Sequence, residues 1–217
     1  MKTKGFIFDL DGVIVDTAKY HYLAWKELAN ELNINFTETH NELLKGVSRE
    51  KSLDILLGVG EVTLSQEERK MYMEQKNTRY LEYVTKMDES EILPGIKELL
   101  EFLKKNEIPF SLGSASKNAR VILEGVNLLE SFTAIVDGND VSKAKPDPEV
   151  FLIAAEKLHL KPENCFVIED AAAGIEAAKR AKMISIGIGA ENMLGAADFL
   201  FDSTAKLTVD FAKTLLN

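Results

Sequence analysis

The sequence holds a single cysteine, Cys165, so no internal disulfide can hold the fold. Its setting, Asn164-Cys165-Phe166-Val167-Ile168, reads as a strand interior, where a thiol serves packing. Positive charge is also scarce. Lys and Arg number 26 against 35 Asp and Glu, a formal charge of -9, which argues against nucleic acid or an anionic membrane as a main partner. Any phosphate site must therefore be locally basic. No apolar run approaches the roughly 18 residues of a membrane-crossing helix. No signal-peptide core precedes the first acidic residues, so the cytoplasm is the expected compartment. Repeats and low-complexity linkers are absent as well.

What is present is apolar mass. With 217 residues, 46% of them hydrophobic, the chain can bury one large core or a core with a small second domain. The stretch around which it is organised lies near the start. Gly5-Phe6-Ile7-Phe8 reads as a buried strand and runs straight into Asp9-Leu10-Asp11-Gly12-Val13. In extended chain, residues i and i+2 point the same way, so Asp9 and Asp11 converge beyond the strand end. Two carboxylates about 4 Å apart repel by roughly 4 kcal/mol at an effective dielectric near 20, so the pair calls for a cation, a shared proton or solvent.

Helical spacing follows. Tyr22, Trp25, Ala29 and Leu32 share one face, and further helices are predicted over Glu38–Lys45, Arg49–Leu57 and, from a capping box at Ser65-Gln66-Glu67-Glu68, to about Met87. Lys76 falls on the more apolar face of the last, with Tyr72, Tyr80 and Tyr83, where it must snorkel to water or find a partner. Beyond Leu93-Pro94-Gly95, helices alternate with short strands predicted at Pro109–Gly113, Ala134–Val136, Cys165–Ile168, Ile184–Ile188 and, weakly, Phe199–Leu200. That alternation predicts an α/β fold, a Rossmann-like parallel sheet with an inserted all-helical cap. The boundaries expected are core over 1–16, cap over 17–87 and core again over 88–217.

Three more clusters stand at predicted strand ends, where open parallel sheets bind ligands. Ser114-Ala115-Ser116-Lys117-Asn118 opens a helix and offers hydroxyls, an ammonium and free N–H groups to an anion, though taken alone the stretch favours ordinary capping by Ser116 with Lys117 solvated. Lys145 lies in a loop stiffened by Pro146 and Pro148. Glu169-Asp170 precedes a helix predicted over Ala171–Ala181 and, pooled with Asp9 and Asp11, makes an all-oxygen donor set that suits magnesium and disfavours zinc.

In this order the four segments resemble the four motifs of the haloacid dehalogenase-like superfamily, over essentially the whole chain. The resemblance implies that Asp9 is a nucleophile forming an aspartyl phosphate and that Ser114 and Lys145 hold the transferring group. It makes Asp9, the Asp11 carbonyl and Asp170 magnesium ligands, with Glu169 supporting that shell. Asp11 becomes the general acid/base. The helical insertion resembles the small cap of a subgroup that includes sugar-phosphate mutases, in which Arg49, Ser116, Lys117 and Asn118 grip the phosphate not being transferred. By the same likeness Gly46, Val47 and Ser52 fall in a substrate-facing cap segment, Thr17 at the hinge, and His21 and Lys76 tie closure to Asp11; Trp25 is the i+4 neighbour of His21. A cis Lys145-Pro146 bond is also in keeping with the likeness. The activity so implied interconverts β-glucose 1-phosphate and glucose 6-phosphate through a bisphosphate, on a monomer acting on a small phosphorylated sugar. The alternatives are a phosphatase of the same fold, or a phospho-aspartate signalling receiver, which the insertion of about 70 residues disfavours.

Overall fold

The computed structural model describes residues 3–44 and 47–216. Six parallel strands form one sheet: β1 (Gly5–Phe8), β2 (Phe110–Gly113), β3 (Ala134–Val136), β4 (Cys165–Glu169), β5 (Ile184–Ile188) and β6 (Phe199–Phe201). Their order is β3-β2-β1-β4-β5-β6. The chain thus starts at the centre of the sheet and winds outward in both directions, so the crevice at the reversal lies over the carboxyl end of β1. Strand β1 is wholly buried between β2 and β4 because both of its faces are apolar, as a central parallel strand requires.

Helices cover both faces. Those of the α/β layer are α5 (Ile96–Lys105), α6 (Ala119–Gly125), α7 (Glu149–Lys157), α8 (Ala172–Arg180), the short α9 (Glu191–Leu194) and α10 (Val209–Leu216). Phe6, Phe8, Phe110 and Phe166 pack on one face of the sheet. Ile7, Val136, Cys165 and Val167 pack with Phe151 of α7 and Ala177 of α8 on the other. Cys165 is buried in β4, as its apolar setting predicts.

Between β1 and β2 lie α1 (Ala18–Glu31), α2 (Glu38–Glu42), α3 (Arg49–Gly60) and α4 (Gln66–Val84), with no strand among the described residues of that stretch. They carry their own apolar core around Trp25, Leu28, Phe36, Leu53 and Leu56. The Ser65/Glu68 capping box starts α4 where the sequence places it. Helix α2 is shorter than its pattern suggests, beginning at a second capping box of Thr37 with His40 and ending at Glu42; Lys45 lies outside the described residues. The two strands of chain joining this block to the sheet are paired to each other. Val15 bridges Ile92 in antiparallel fashion and Leu93 N donates to Ile14 O at 2.9 Å. Among the described residues, no helix is long and apolar enough to cross a membrane.

Candidate active site

Every motif read from the sequence sits at the carboxyl end of a strand. Asp9 and Asp11 follow β1, Ser114 follows β2, Lys145 lies in the loop between β3 and α7, and Glu169 and Asp170 close β4. Glu169 is itself the last strand residue, paired with Gly187, so its side chain is fixed by the ladder. Gly12 turns the chain at φ +77°, and a Cβ there would meet Asp170 Oδ2 at 2.1 Å. Only glycine lets the backbone after Asp11 approach Asp170 so closely.

The centre is a buried ion cluster. Lys145 Nζ donates to Asp9 Oδ1 and to Glu169 Oε1, each at 2.6 Å. Glu169 Oε2 accepts from Ala171 N at 2.9 Å, so both oxygens of this carboxylate are engaged. Burial disfavours the Lys145 ammonium, yet Asp9 and Glu169 outweigh it and raise its pKa. Burial pushes the Asp9 carboxyl up to about 8; Lys145 opposes the rise, and Glu169 and Asp11 add to it. Asp11 is pushed up to about 7, again by burial first, with Lys145 and Lys76 opposing. The Thr17 hydroxyl, wholly buried, donates to Asp11 Oδ1.

Carboxylate oxygens of Asp9, Glu169 and Asp170 lie within 4.8 Å of one another. A set of carboxylates without nitrogen or sulfur fits a hard, oxygen-seeking divalent cation. In the structure the repulsion between Asp9 and Glu169 is offset by Lys145, which bonds both.

A cavity of about 440 Å³ opens over this cluster. Its floor is Asp9, Asp11 and Asp170, its near wall Ser114, Ala115, Ser116, Lys117 and Asn118, and its far wall His21, Trp25, Val47, Arg49, Ser52 and Lys76 from the helical block. Thr17 and Lys145 stand behind that surface, bonded to Asp11 and Asp9 that form it, and Glu169 stands behind Lys145. Gly46 lies outside the described residues. Among the described residues, the structure brings together those the sequence singles out.

Two details go further than the sequence. Lys76 does not snorkel: it is 3% exposed, with Nζ 2.8 Å from His21 Nδ1 and over the rings of Trp25 and Tyr80 at 4.9 and 4.6 Å. His21 stacks on Tyr80 at 4.1 Å, and burial, Lys76 and Arg49 hold its pKa well below the usual histidine range. Second, Asn77 Oδ1 accepts from Arg49 Nη2 at 2.6 Å and from Asn118 Nδ2 at 2.9 Å, joining the far wall to the near one. No motif marked Asn77; its position beside Lys76 on α4 was the available signal. Ser116 does not cap α6. That place falls to Asn118, while Ser116 Oγ accepts from Asn118 N at 3.3 Å. The Lys145-Pro146 bond is cis.

A family model described as haloacid dehalogenase-like hydrolase matches residues 3–182. The β-phosphoglucomutase of Bacillus subtilis strain 168 is 44% identical over 209 residues, spanning 95% of this chain and 92% of that protein. A phosphorylated carbohydrates phosphatase of Thermotoga maritima is 32% identical over 203 residues, 93% of this chain and 88% of its own length. Among solved structures, a β-phosphoglucomutase from Clostridium difficile superposes with a TM-score of 0.93 at 42% identity, covering 99% of this chain and 97% of that one. With a nucleophile-type Asp-x-Asp, a serine, a lysine and a Glu-Asp pair gathered at the carboxyl ends of parallel strands, and a family model matching most of its length, the chain belongs to the haloacid dehalogenase-like hydrolase family.

Proposed function

We propose that this protein is a β-phosphoglucomutase, interconverting β-D-glucose 1-phosphate and D-glucose 6-phosphate through an aspartyl phosphate and a bound glucose bisphosphate. The observation that carries the reading is a cavity with two anion-binding ends. Asp9 and Asp11 lie on its floor, while Arg49, Ser116, Lys117 and Asn118 line its walls, and a phosphatase acting on one phosphate has no use for the second set.

In this reading an Asp9 oxygen attacks phosphorus and the sugar oxygen leaves with a proton from Asp11, whose pKa of about 7 suits it to give and take protons near neutrality. In the return half, Asp11 removes the proton from the other sugar hydroxyl as that oxygen attacks the aspartyl phosphate. Lys145 and Ser114 neutralise and orient the three peripheral oxygens. Glu169, with both oxygens engaged, aims Lys145. Asp9, Asp170 and the Asp11 carbonyl would hold magnesium, which would draw charge from the phosphoryl group and lower the Asp9 pKa. Thr17 orients Asp11. Arg49, Ser116, Lys117 and Asn118 hold the far phosphate, and Trp25, Val47 and Ser52 enclose the ring.

Water at about 55 M loses to a sugar hydroxyl held in place, because effective molarities of well-oriented groups reach about 10⁵–10⁸ M. Incubation with β-glucose 1-phosphate, magnesium and trace bisphosphate should yield glucose 6-phosphate with little free phosphate. Stoichiometric phosphate release without glucose 6-phosphate would replace the mutase by a phosphatase.

A further inference from the structure

The wall formed by Ser114–Asn118 does not stand by itself; it is tied to the turn that follows β3. Ser114 N donates to Val136 O at 3.0 Å, Gly138 N to Ser116 O at 3.2 Å, and Asn139 Nδ2 to Lys117 O at 3.0 Å. The turn is itself braced. Asp137, 1% exposed, accepts from Asn139 N at 2.8 Å through Oδ1 and from Arg120 Nε at 3.0 Å through Oδ2. Its own N–H donates to Asp140 Oδ2 at 2.9 Å. A Cβ at Gly138 would lie 2.4 Å from Ala115 O and 3.0 Å from Lys117 Cγ, so the two loops are in backbone contact.

These bonds fix peptide orientation. In a planar trans peptide the carbonyl and the following N–H point opposite ways. Tying Ser116 O to the turn therefore aims Lys117 N–H away from it. Tying Lys117 O sets the next peptide likewise, with Asn118 N received by Ser116 Oγ. An anion-binding loop works through such N–H directions, and misaligned donors lose most of their value.

We propose that Asp137 and Asn139, with Gly138 at the edge of the cavity, are positioning residues for the distal-phosphate grip: with Ser116 N–H given to Ser114 Oγ and Asn118 N–H to Ser116 Oγ, they fix the Ser116–Lys117 peptide so that the Lys117 N–H faces away from the turn. The proposal rests on the reading of Ser116, Lys117 and Asn118 as that grip. The proximal site rests on the Lys145 cluster and shares Ser114 with this wall, while the Ser116–Lys117 peptide is held by the turn.

The test is a calorimetric titration of β-glucose 1,6-bisphosphate, with magnesium, into protein carrying Asp9→Asn, which binds without turnover. Adding Asn139→Asp, an exposed isosteric change that removes the donor to Lys117 O, should raise Kd about fivefold, the value of one hydrogen bond of about 1 kcal/mol. Gly138→Ala should raise it further. With Asp9 intact, Asn139→Asp should lower the ratio of isomerisation to acetyl phosphate hydrolysis, chiefly through KM for the sugar phosphate. A bisphosphate Kd within twofold of the parent, or equal loss of both reactions together with a lower Tm, would overturn the proposal. If the wild-type protein only releases phosphate, the mutase reading fails alone, because the titration still reads the turn.

Discussion

Lys145 Nζ stands 2.6 Å from Asp9 Oδ1, and with Glu169 Oε1 at the same distance one buried ammonium serves two buried carboxylates. With both carboxyls ionised the arrangement would carry net negative charge, and burial first, with Glu169 and Asp11 adding, pushes Asp9 up to about 8. A second cation would offset that charge, and Asp9 is the carboxyl it would affect first.

Replacing Asp9, the proposed nucleophile, separates chemistry from folding. Asp9→Asn should reduce turnover by more than about 10³-fold, since an amide cannot accept the phosphoryl group. Burial pushes the Asp9 carboxyl up to about 8, so near neutrality it is largely protonated and the neutral amide should leave the urea midpoint little changed. Normal turnover in this variant would take Asp9 out of its role.

Removing the ammonium has the opposite effect on stability. Lys145→Met leaves Asp9 and Glu169 buried without their cation, a loss of about 3–5 kcal/mol. Magnesium should restore part of it. Urea unfolding of the variant with magnesium and with chelator measures both quantities.

Exhaustive chelation should abolish turnover, and magnesium should recover it better than zinc, because the donors are carboxylate oxygens only. Full activity in the chelated protein would refute a cation role.

Truncating the far grip should divide the two chemistries. Arg49→Ala is expected to slow isomerisation at least tenfold more than hydrolysis of acetyl phosphate, which has no second phosphate to hold. Parallel assays of glucose 6-phosphate formation and phosphate release provide the comparison.

Acid should loosen the helical block at His21. Its folded pKa lies well below the unfolded value near 6.5, so the unfolded chain binds the extra proton first and stability falls as pH drops below about 6.5. The effect is at most about 1.4 kcal/mol per pH unit. Asp9 and Asp11 work the other way, because their raised pKa values make the folded chain the stronger proton binder below about 8 and 7. Only a difference isolates the histidine: between pH 7.5 and 5.5, wild type should lose more stability than His21→Asn.

Much of this was legible in the sequence because it is written locally. A strand that ends in Asp9-Leu10-Asp11-Gly12 declares its own end, and alternation of strands with helices then dictates that Ser114, Lys145 and Glu169 arrive at the same edge. What escaped is carried by contacts between distant residues. Arg49 and Asn77 are 28 positions apart, Asn77 and Asn118 are 41 apart, and nothing in the surroundings of Asn77 announces either bond. Lys76 was legible only as a choice between water and a partner, and the stacked rings of His21 and Tyr80 settled it. Asp137-Gly138-Asn139-Asp140 reads as an ordinary turn; its importance comes from lying against the loop after β2, which the sheet order decides.

The paired connections at Ile14-Val15 and Ile92-Leu93 give the helical block a single doorway. A gene could lengthen, shorten or exchange the stretch between them without displacing any strand, since the chain leaves and returns at points already bonded to each other. Inheritance can then act on the two halves at different rates. In the proposed reading, a change in the helices alters what encloses the acceptor and leaves Asp9, Ser114, Lys145 and Glu169 in place at the strand ends.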